Sequence, residues 1–145
     1  MAKKEIIAFD PPIEEEIMLI QPNNVTFGQY NVSEWQENLL TLIGDKIQKH
    51  MTREEELPRD LFNQPYVVIM CDEAGGKNNK NKVLKEAIDM LNKRFSFRWL
   101  HPKMKKEIET TGGSVITNIH NIKGTNQIMV NLNPWAIPFL IYYGV

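Results

Sequence analysis

The clearest pattern in the sequence is a helical repeat of apolar residues that follows a capping sequence. Ser33 and Gln36 stand three residues apart, the spacing at which each side chain accepts a hydrogen bond from the backbone N–H of the other at a helix start. The apolar residues that follow recur at spacings of three and four, which places them on one helix face: Trp35, Leu39, Leu42, Ile43 and Ile47. The pattern predicts a helix from about Glu34 to Met51.

The residues before this helix are interrupted by prolines and a glycine. Pro11, Pro22 and Gly28 break the short apolar stretches there. We therefore expect residues 1–30 to form a lead-in segment and residues 31–145 to form the domain. A chain of 145 residues is long enough for one domain with its own core.

A loop and a short strand are predicted after the first helix. Residues 52–65 form an acidic connection, in which Pro58 and Pro65 exclude a long helix. Tyr66–Cys71 is rich in residues that favour strands, and Gly75-Gly76 is predicted to end this segment.

A second helix is predicted from about Lys80 to Arg94. Asn78 or Asn79 stands at its start, where an asparagine caps the free N–H groups. Its predicted buried stripe consists of Val83, Leu84, Ala87, Ile88 and Leu91. The apolar period then changes to two, which predicts a half-buried strand directly after the helix. Alternation favours burial in the core over base stacking for its aromatic residues, Phe95, Phe97 and Trp99.

The next segment predicts a hairpin. His101-Pro102 is a predicted turn, and Glu107–Thr110 is a predicted return strand that the pair Gly112-Gly113 follows. Because a helix that leads directly into a β-hairpin is typical of winged-helix proteins, this part of the pattern points to that architecture.

The C-terminal part predicts two more strands and a closing helix. Val115–Ile122 and Gln127–Leu132 are joined by a tight loop at Lys123–Asn126. Asn133 caps the closing helix with Pro134 at its first position, and the helix carries Trp135, Ile137, Leu140 and Ile141. The order of elements is helix, strand, helix, a three- or four-stranded antiparallel section, and helix. We predict an α+β winged-helix domain with its helices packed on a small antiparallel sheet.

Charge is unevenly distributed along the chain, although the formal net charge is −1. Residues 1–76 carry 6 Lys and Arg against 14 Asp and Glu, whereas residues 77–106 carry 10 against 2. Residues 107–145 carry 1 against 2. A segment of one sign produces a local field that attracts a polyanion even where the whole molecule is nearly neutral. We refer to residues 77–106 as the basic segment.

Residue types that serve catalysis and metal binding are present but scattered. The histidines His50, His101 and His120 lie on different predicted elements, and no pair has the spacing of metal ligands. Cys71 lies in a predicted core strand, where an inert buried thiol is expected. We therefore predict that the chain is not an enzyme and has no cofactor and no metal site.

Other candidate motifs also favour structural roles. Gly75-Gly76-Lys77 lacks the remaining residues of a phosphate-binding loop. The adjacent carboxylates Asp72 and Glu73 are typical of a solvated face rather than of an acid–base pair. Tyr142-Tyr143 is assigned to packing, because a DNA-nicking tyrosine works beside a histidine-bound metal and no histidine cluster is present.

Location is predicted from what the sequence lacks. No apolar run approaches the roughly 20 residues that span a bilayer, and the apolar stretch Ile6–Phe9 is too short for a signal peptide. One cysteine forms no intramolecular disulfide. We predict a cytoplasmic protein that does not bind membranes.

The basic segment is the strongest functional signal. A solvated helix face would also be lysine-rich, but only Glu86 and Asp89 stand in the segment to pair with its lysines. Basic side chains on a helix and the following hairpin neutralise phosphates, and amide groups at the helix start add hydrogen bonds to phosphate. The predicted DNA-binding residues are Lys77, Asn79, Lys80, Lys82, Lys85, Lys93, Arg94 and Arg98.

A second hypothesis from a different class is a protein-interaction module. The alternating strand Val115–Ile122 has an edge that a second copy of the chain is able to pair with. The predicted dimer interface consists of Val115, Thr117, Ile119 and Asn121. The two hypotheses are compatible, since phosphate contact and dimerisation would use different surfaces.

Three stretches resemble one known family. They are QPNNVTFGQYNVSEWQENLLTLIGDKIQ, GGKNNKNKVLKEAIDMLNKRFSFRW and GSVITNIHNIKGTNQIMVNLNPWAIPFLIYYG. Together they cover about residues 20–145 and are similar to the first domain of bacterial plasmid replication initiator (Rep) proteins: an extended segment leading into a helix, a helix followed at once by a strand, and a hairpin with a closing helix.

The resemblance implies a non-enzymatic role in starting plasmid replication. Such initiators carry two winged-helix domains. The first provides dimerisation and contacts to the DNA backbone, and the second reads the repeated sites of the origin. The family opens the origin and recruits host replication proteins. Since the sequence ends at Val145, we expect this chain to be the first domain alone, a homodimer that holds double-stranded DNA of a plasmid origin without reading it.

Overall fold

A computed structural model describes residues 5–7, 23–26, 31–75, 79–100 and 107–142. Four α-helices, a 3₁₀ turn and seven strands make up this part of the chain. The strands form two separate sheets, one of four strands and one of three. The predicted α+β class is confirmed.

The first helix, α1, spans Glu34–Thr52 and begins at the predicted capping box. The Gln36 backbone N donates to Ser33 Oγ at 3.2 Å, and the Ser33 backbone N donates to Gln36 Oε1 at 3.0 Å. Its buried side is centred on Leu40 and Gly44, in addition to three of the predicted apolar residues, Leu39, Ile43 and Ile47. α1 contacts each of the other three described α-helices, so it lies at the centre of the described part of the chain.

The acidic connection contains no long helix, as its two prolines predict. Strand β3 follows at Tyr66–Met70, and a one-turn helix, α2, takes up Cys71–Gly75. The predicted end of this strand at Cys71 is therefore wrong, because Cys71 begins the helix. Asp72 and Glu73 lie in the first turn of α2, where the helix dipole favours negative charge.

Helix α3 spans Lys80–Met90 and ends four residues before the predicted Arg94. Asn79 occupies the N-cap position but makes no side-chain capping bond. The buried stripe consists of Val83, Ala87 and Met90, whereas Ile88 is 52% exposed, so its predicted burial is wrong. The core meets α3 on one narrow face, and Ile88 lies next to that face rather than on it.

The four-stranded sheet has the order β1-β5-β4-β2. Its central strands are β4 at Arg94–Leu100 and β5 at Glu107–Ser114, which pair antiparallel. Two strands of the lead-in segment complete it: β1 at Glu5–Ile7 pairs parallel with β5, and β2 at Asn23–Thr26 pairs antiparallel with β4. The lead-in segment therefore contributes edges to this sheet.

Strand β5 continues through the glycine pair that the sequence pattern places after its end. Phe95 pairs with Gly113 and Ser96 with Thr111, so Gly112 is an extra residue in the ladder. A β-bulge accommodates one unpaired residue in this way, and glycine suits it. The predicted turn at His101-Pro102 lies outside the described residues.

The three-stranded sheet has the order β3-β7-β6 and is antiparallel. Strands β6 at Ile116–Ile122 and β7 at Gln127–Leu132 are joined by the predicted tight loop, in which Gly124 has a φ of 78°. The predicted antiparallel section is divided between the two sheets: β4 and β5 belong to one, and β6 and β7 form the other together with β3.

The C-terminal elements close the core as predicted. The side chain of Asn133 accepts from the Trp135 backbone N at 3.0 Å and starts a 3₁₀ turn at Pro134–Ala136, and helix α4 follows at Ile137–Tyr142. Phe95 of β4 is buried and stacks on Phe139 of α4 with ring centroids 6.3 Å apart. The predicted burial of Phe95 in the core is confirmed. The side chains of Phe97 and Trp99 are not among those that the structure describes.

Candidate nucleic-acid interface

Helix α3, the turn that follows it and strand β4 carry the described part of the basic segment. The turn is formed by successive backbone bonds, Leu91 N to Ile88 O at 3.0 Å and Lys93 N to Met90 O at 3.2 Å. These short-range bonds end the helix and allow Arg94 to begin β4. A short hydrogen-bonded turn therefore joins α3 to β4, and this one unit carries the basic side chains of both elements.

Lys80 holds the start of α3 against the β6–β7 loop. Its Nζ donates to the carbonyl oxygens of Ile122 at 3.0 Å and Thr125 at 2.5 Å. These two carbonyls are satisfied by a charged donor, which makes stronger hydrogen bonds than a neutral one. Lys80 therefore has a structural role within the domain.

Lys82 is paired along the same helix. Its Nζ lies 3.0 Å from Glu86 Oε1 and 5.7 Å from the ring centre of Trp35 on α1. The side chain of Lys82 is 42% exposed, so its ammonium group remains in contact with solvent. It combines an internal ion pair with access to a ligand.

Lys93 is enclosed by polar partners at the junction of α1 and α3. Its Nζ lies 3.1 Å from Asp89 Oδ2 and donates to Gln36 Oε1 at 2.6 Å and to the Asn31 carbonyl oxygen. Its side chain is only 12% exposed. Most of its donor capacity is used inside the domain.

Gln36 is the centre of this junction, although the sequence pattern marks it only as a capping residue. It is fully buried, and its Nε2 donates to Asp89 Oδ2 at 2.7 Å and to the Glu86 carbonyl oxygen at 3.3 Å. The sequence does contain a signal for this role, since Gln36 precedes Leu40 and Ile43 at helical spacing on the buried face. A polar residue on an apolar stripe indicates a buried hydrogen-bonding partner.

The two acids of α3 are held in their charged forms by these contacts. Hydrogen bonds from Gln36 and then from Lys93 lower the pKa of Asp89 below its ordinary value. Burial raises the pKa of Glu86, but hydrogen bonds from Lys82 and Ser33 outweigh it and the net pKa is lowered. Both acids therefore neutralise lysines of the basic segment.

The remaining predicted DNA-binding residues differ in exposure. Lys85 is exposed on α3. Arg94 is exposed and Arg98 is half-buried, and alternation along β4 places both on one face of the strand. Asn79 is half-buried at the start of α3, and Lys77 lies outside the described residues.

The four residues of the predicted dimer interface do not share one face. Val115 is fully buried and its carbonyl oxygen accepts from the Asn133 backbone N at 2.9 Å, so it belongs to the core. A register shift between Ile116 and Asn118 breaks the alternation. Thr117 and Asn121 are exposed and Ile119 is half-buried on β6, an edge of the described three-stranded sheet.

The sequence matches a protein-family model described as "Initiator Replication protein, WH1" over residues 18–144. The chain belongs to this family. Its members are winged-helix domains of replication initiators, and it is not a known catalytic family. The predicted relation to replication initiators is confirmed.

A solved structure supports the fold of this initiator domain. It is the crystal structure of the MSBI1.176 WH1 domain, a replication protein isolated from a multiple sclerosis patient. The similarity has a TM-score of 0.52 at 13% sequence identity and covers 79% of this chain and 85% of that chain. The winged-helix prediction is thereby confirmed. A comparison with curated proteins found no match.

Metal ligands do not group together in the described part of the initiator domain. No three His, Cys, Asp or Glu side chains stand there in positions that could hold a metal ion. As for membranes, none of the helices in the described ranges is long and apolar enough to cross a bilayer.

Proposed function

We propose that this initiator domain binds the backbone of double-stranded DNA through the outer face of α3 and β4 during the initiation of plasmid replication. The observation that carries the proposal is the concentration of basic side chains on this one unit in a member of a replication-initiator family. Such contacts give affinity that depends strongly on salt and little on sequence.

We assign the predicted residues two roles, because Lys80 and Lys93 direct their ammonium groups to acceptors within the domain. Lys85, Arg94 and Arg98, together with Lys82 and Asn79, form the proposed DNA-binding group. Lys80 and Lys93 serve mainly to hold α3 in position. Lys77 remains a predicted contact because it belongs to the same basic segment.

The test is duplex binding by the full 145-residue chain, measured by fluorescence anisotropy across a salt series. Lys85→Gln and Arg94→Gln are expected to weaken binding and to reduce the slope of log affinity against log salt by about 0.9 for each phosphate that is no longer neutralised. Lys49→Gln on α1 is the matched control, since Lys49 is 57% exposed and lies outside the basic segment. Unchanged affinity and slope in both variants would contradict the proposal.

We also propose homodimerisation through the edge of β6. The exposed Thr117 and Asn121 on this edge strand support it. Asn121→Lys is expected to shift a dimer toward monomer in sedimentation velocity, because a charge on an edge strand opposes strand pairing. A dimer of unchanged stability would exclude this edge.

The wider role is proposed from the family. The domain would act in the cytoplasm at a plasmid origin together with host replication proteins, and DNA sequence reading would lie in other residues of the initiator. A plasmid maintenance assay with Lys85→Gln and Arg94→Gln in the initiator tests this role. Normal plasmid maintenance by the double variant would argue against a need for the α3–β4 surface.

A further inference from the structure

Two large apolar side chains are presented to solvent at the tip of the loop between α1 and β3. Leu61 is 100% exposed and Phe62 is 83% exposed. Among the described residues, only Val68 and Ile88 are also exposed large apolar side chains. We call Leu61 and Phe62 the apolar tip. Folding of this chain gains little from the tip, because its side chains remain largely in water.

The loop that carries the apolar tip is held by hydrogen bonds to the side chain of Asp60. Asp60 Oδ1 accepts from the backbone N atoms of Phe62 and Gln64, both at 2.9 Å, and Asp60 Oδ2 accepts from Asn131 Nδ2 at 3.0 Å. The hydrogen bond from Gln64 is the largest of the influences that lower the pKa of Asp60. The carboxylate is thus fully engaged in holding the loop.

The two ends of the loop are tied to the three-stranded sheet. The Tyr66 backbone N donates to the Pro58 carbonyl oxygen at 3.0 Å, and the Leu132 backbone N donates to the Pro65 carbonyl oxygen at 2.9 Å. A tip held in one conformation gives up little conformational entropy when it binds a partner. The loop therefore has the construction of a preorganised binding element.

The segment that leads to the apolar tip, residues 53–60, is net acidic, with four Asp and Glu against two arginines. Its Arg59 donates to the Asn63 carbonyl oxygen at 3.0 Å. Glu54 and Glu56, a few residues before the loop, are exposed, and no ion pair involves them among the described residues. Glu55 Oε2 lies 3.5 Å from His50 Nδ1. Net negative charge in the segment that leads to the apolar tip disfavours DNA and anionic lipid, and it favours a protein surface that is apolar and basic.

The outer face of α3 has this chemistry. Ile88 is 52% exposed, the half-buried Leu84 and Leu91 flank it one turn away on either side, and the exposed Lys85 lies beside it. We call these four residues the α3 patch. The acids of α3 are occupied by Lys82 and Lys93, so the charge of Lys85 is not neutralised by them.

We propose that the apolar tip of one copy of the chain docks on the α3 patch of a second copy. Leu61 and Phe62 cover Ile88 and its neighbours, and Glu54 or Glu56 faces Lys85. The partner is identified by complementarity, since the chain itself supplies both an apolar tip that follows a net acidic segment and an apolar patch with a basic neighbour. Because the two surfaces differ, a single contact between tip and patch is heterologous, and it is separate from pairing at the β6 edge.

The test is sedimentation velocity of the 145-residue chain at low salt, from low to high micromolar concentration and without DNA. The double variant Leu61→Ser, Phe62→Ser is expected to raise the dissociation constant of self-association at least about tenfold, because buried aromatic anchors dominate interfaces. Val68→Thr is the matched control, since Val68 is an exposed apolar residue on another element, with 37% exposure. Thermal unfolding checks that each variant is folded.

A charge-swap pair tests the orientation independently. Lys85→Glu is expected to weaken self-association, and adding Glu54→Lys and Glu56→Lys to the same chain is expected to restore it. Restoration by complementary reversal requires that the two charged groups face each other in the complex. A misfolded Lys85→Glu chain would not be restored in this way.

Three results would overturn the proposal. One is a wild-type chain that remains monomeric at high micromolar concentration. A second is self-association that Asn121→Lys abolishes and the tip variant leaves unchanged, which would leave only the β6 edge. A third is binding of the monomer to neutral phosphatidylcholine vesicles that the tip variant abolishes, which would make the tip a lipid anchor. Lys85 is shared with the proposed DNA surface, but the assay contains no DNA, so failure here leaves DNA binding to be decided separately.

Discussion

At the scale of single residues, the junction of α1 and α3 is decided by buried polar contacts. Gln36 is fully buried and donates to Asp89 and to the Glu86 backbone, while its Oε1 accepts from Lys93. A buried amide is favourable only when its donors and acceptors are satisfied, so these contacts fix how α3 lies on α1. The capping box and the junction thus share one side chain.

Gln36→Ala is expected to lower the free energy of unfolding by about 1–3 kcal/mol, because it removes a helix cap and leaves buried partners unsatisfied. Urea unfolding at neutral pH measures this change. Asn38→Ala, an exposed position on the same helix, is the control and is expected to have a small effect. An equally small effect of Gln36→Ala would mean that the junction does not depend on this amide.

The same junction predicts a pH dependence of stability. The pKa values of Asp89 and Glu86 are lowered in the folded chain from ordinary values of 3.8 and 4.5. Groups with lowered pKa values stabilise the folded state above their unfolded pKa values, and this stability is lost as the pH falls through the folded pKa values. We expect the loss to begin as the pH approaches these ordinary values from above.

Asp89→Asn isolates this contribution in urea unfolding measured from neutral to acidic pH. The variant is expected to be less stable than the wild type at neutral pH, and the difference is expected to shrink as the pH falls. A difference that is constant with pH would show that the Asp89 charge contributes nothing to stability.

At the scale of elements, close packing of α1 against the closing helix depends on one glycine. A Cβ atom built on Gly44 would lie 2.2 Å from the Leu140 carbonyl oxygen of α4. Glycine in the middle of a helix is unfavourable by propensity, so its presence here reflects the close approach of the two helices. Gln48 of α1 also donates to the Ile141 carbonyl oxygen, which holds the same contact.

Gly44→Ala is expected to destabilise the domain by about 1–3 kcal/mol, because the steric clash with the α4 backbone exceeds the roughly 1 kcal/mol gained in helix propensity. Thermal unfolding checks the sign of the change. Thr41→Ala, an exposed position one turn earlier, is the control. A more stable Gly44→Ala variant would contradict the close approach of α1 and α4.

At the scale of the whole molecule, fewer positive charges of the basic segment are available to a ligand than its net charge suggests. Part of it is neutralised by Glu86 and Asp89 or donates to backbone carbonyls, as Lys80 does. The exposed remainder around Lys85 is the surface that both proposals use. DNA and a second copy of the chain are therefore expected to compete for it.

At this scale we predict that changing the apolar tip separates self-association from DNA binding. Leu61→Ser, Phe62→Ser is expected to bind duplex DNA at least as tightly as the wild type in fluorescence anisotropy, because it removes a competitor and no basic residue. Adding excess duplex to the wild type is expected to abolish the part of its self-association that depends on Leu61 and Phe62, and to leave pairing at the β6 edge unchanged. Persistent tip-dependent association at saturating DNA would show that the two ligands use different surfaces.

The elements of the chain follow largely from local sequence, whereas their assembly does not. The capping box at Ser33 and the turn at Gly124 are local, because the residues that satisfy each backbone group stand within a few positions of it. The predicted end of α3 is too late, since strand pairing at Arg94 competes with further helix and that pairing joins residues distant in sequence.

The sequence by itself determined three of the four described α-helices, most strands, the charge asymmetry and the resemblance to replication initiators, because these depend on periodicity, capping residues and residue order. Only the tertiary structure decided that the strands form two sheets, that Val115 is buried, and that Lys80 and Lys93 serve the fold. It also decided that Leu61 and Phe62 stand in solvent. The physical reason is that burial and pairing depend on which distant residues meet, and local pattern carries no record of that.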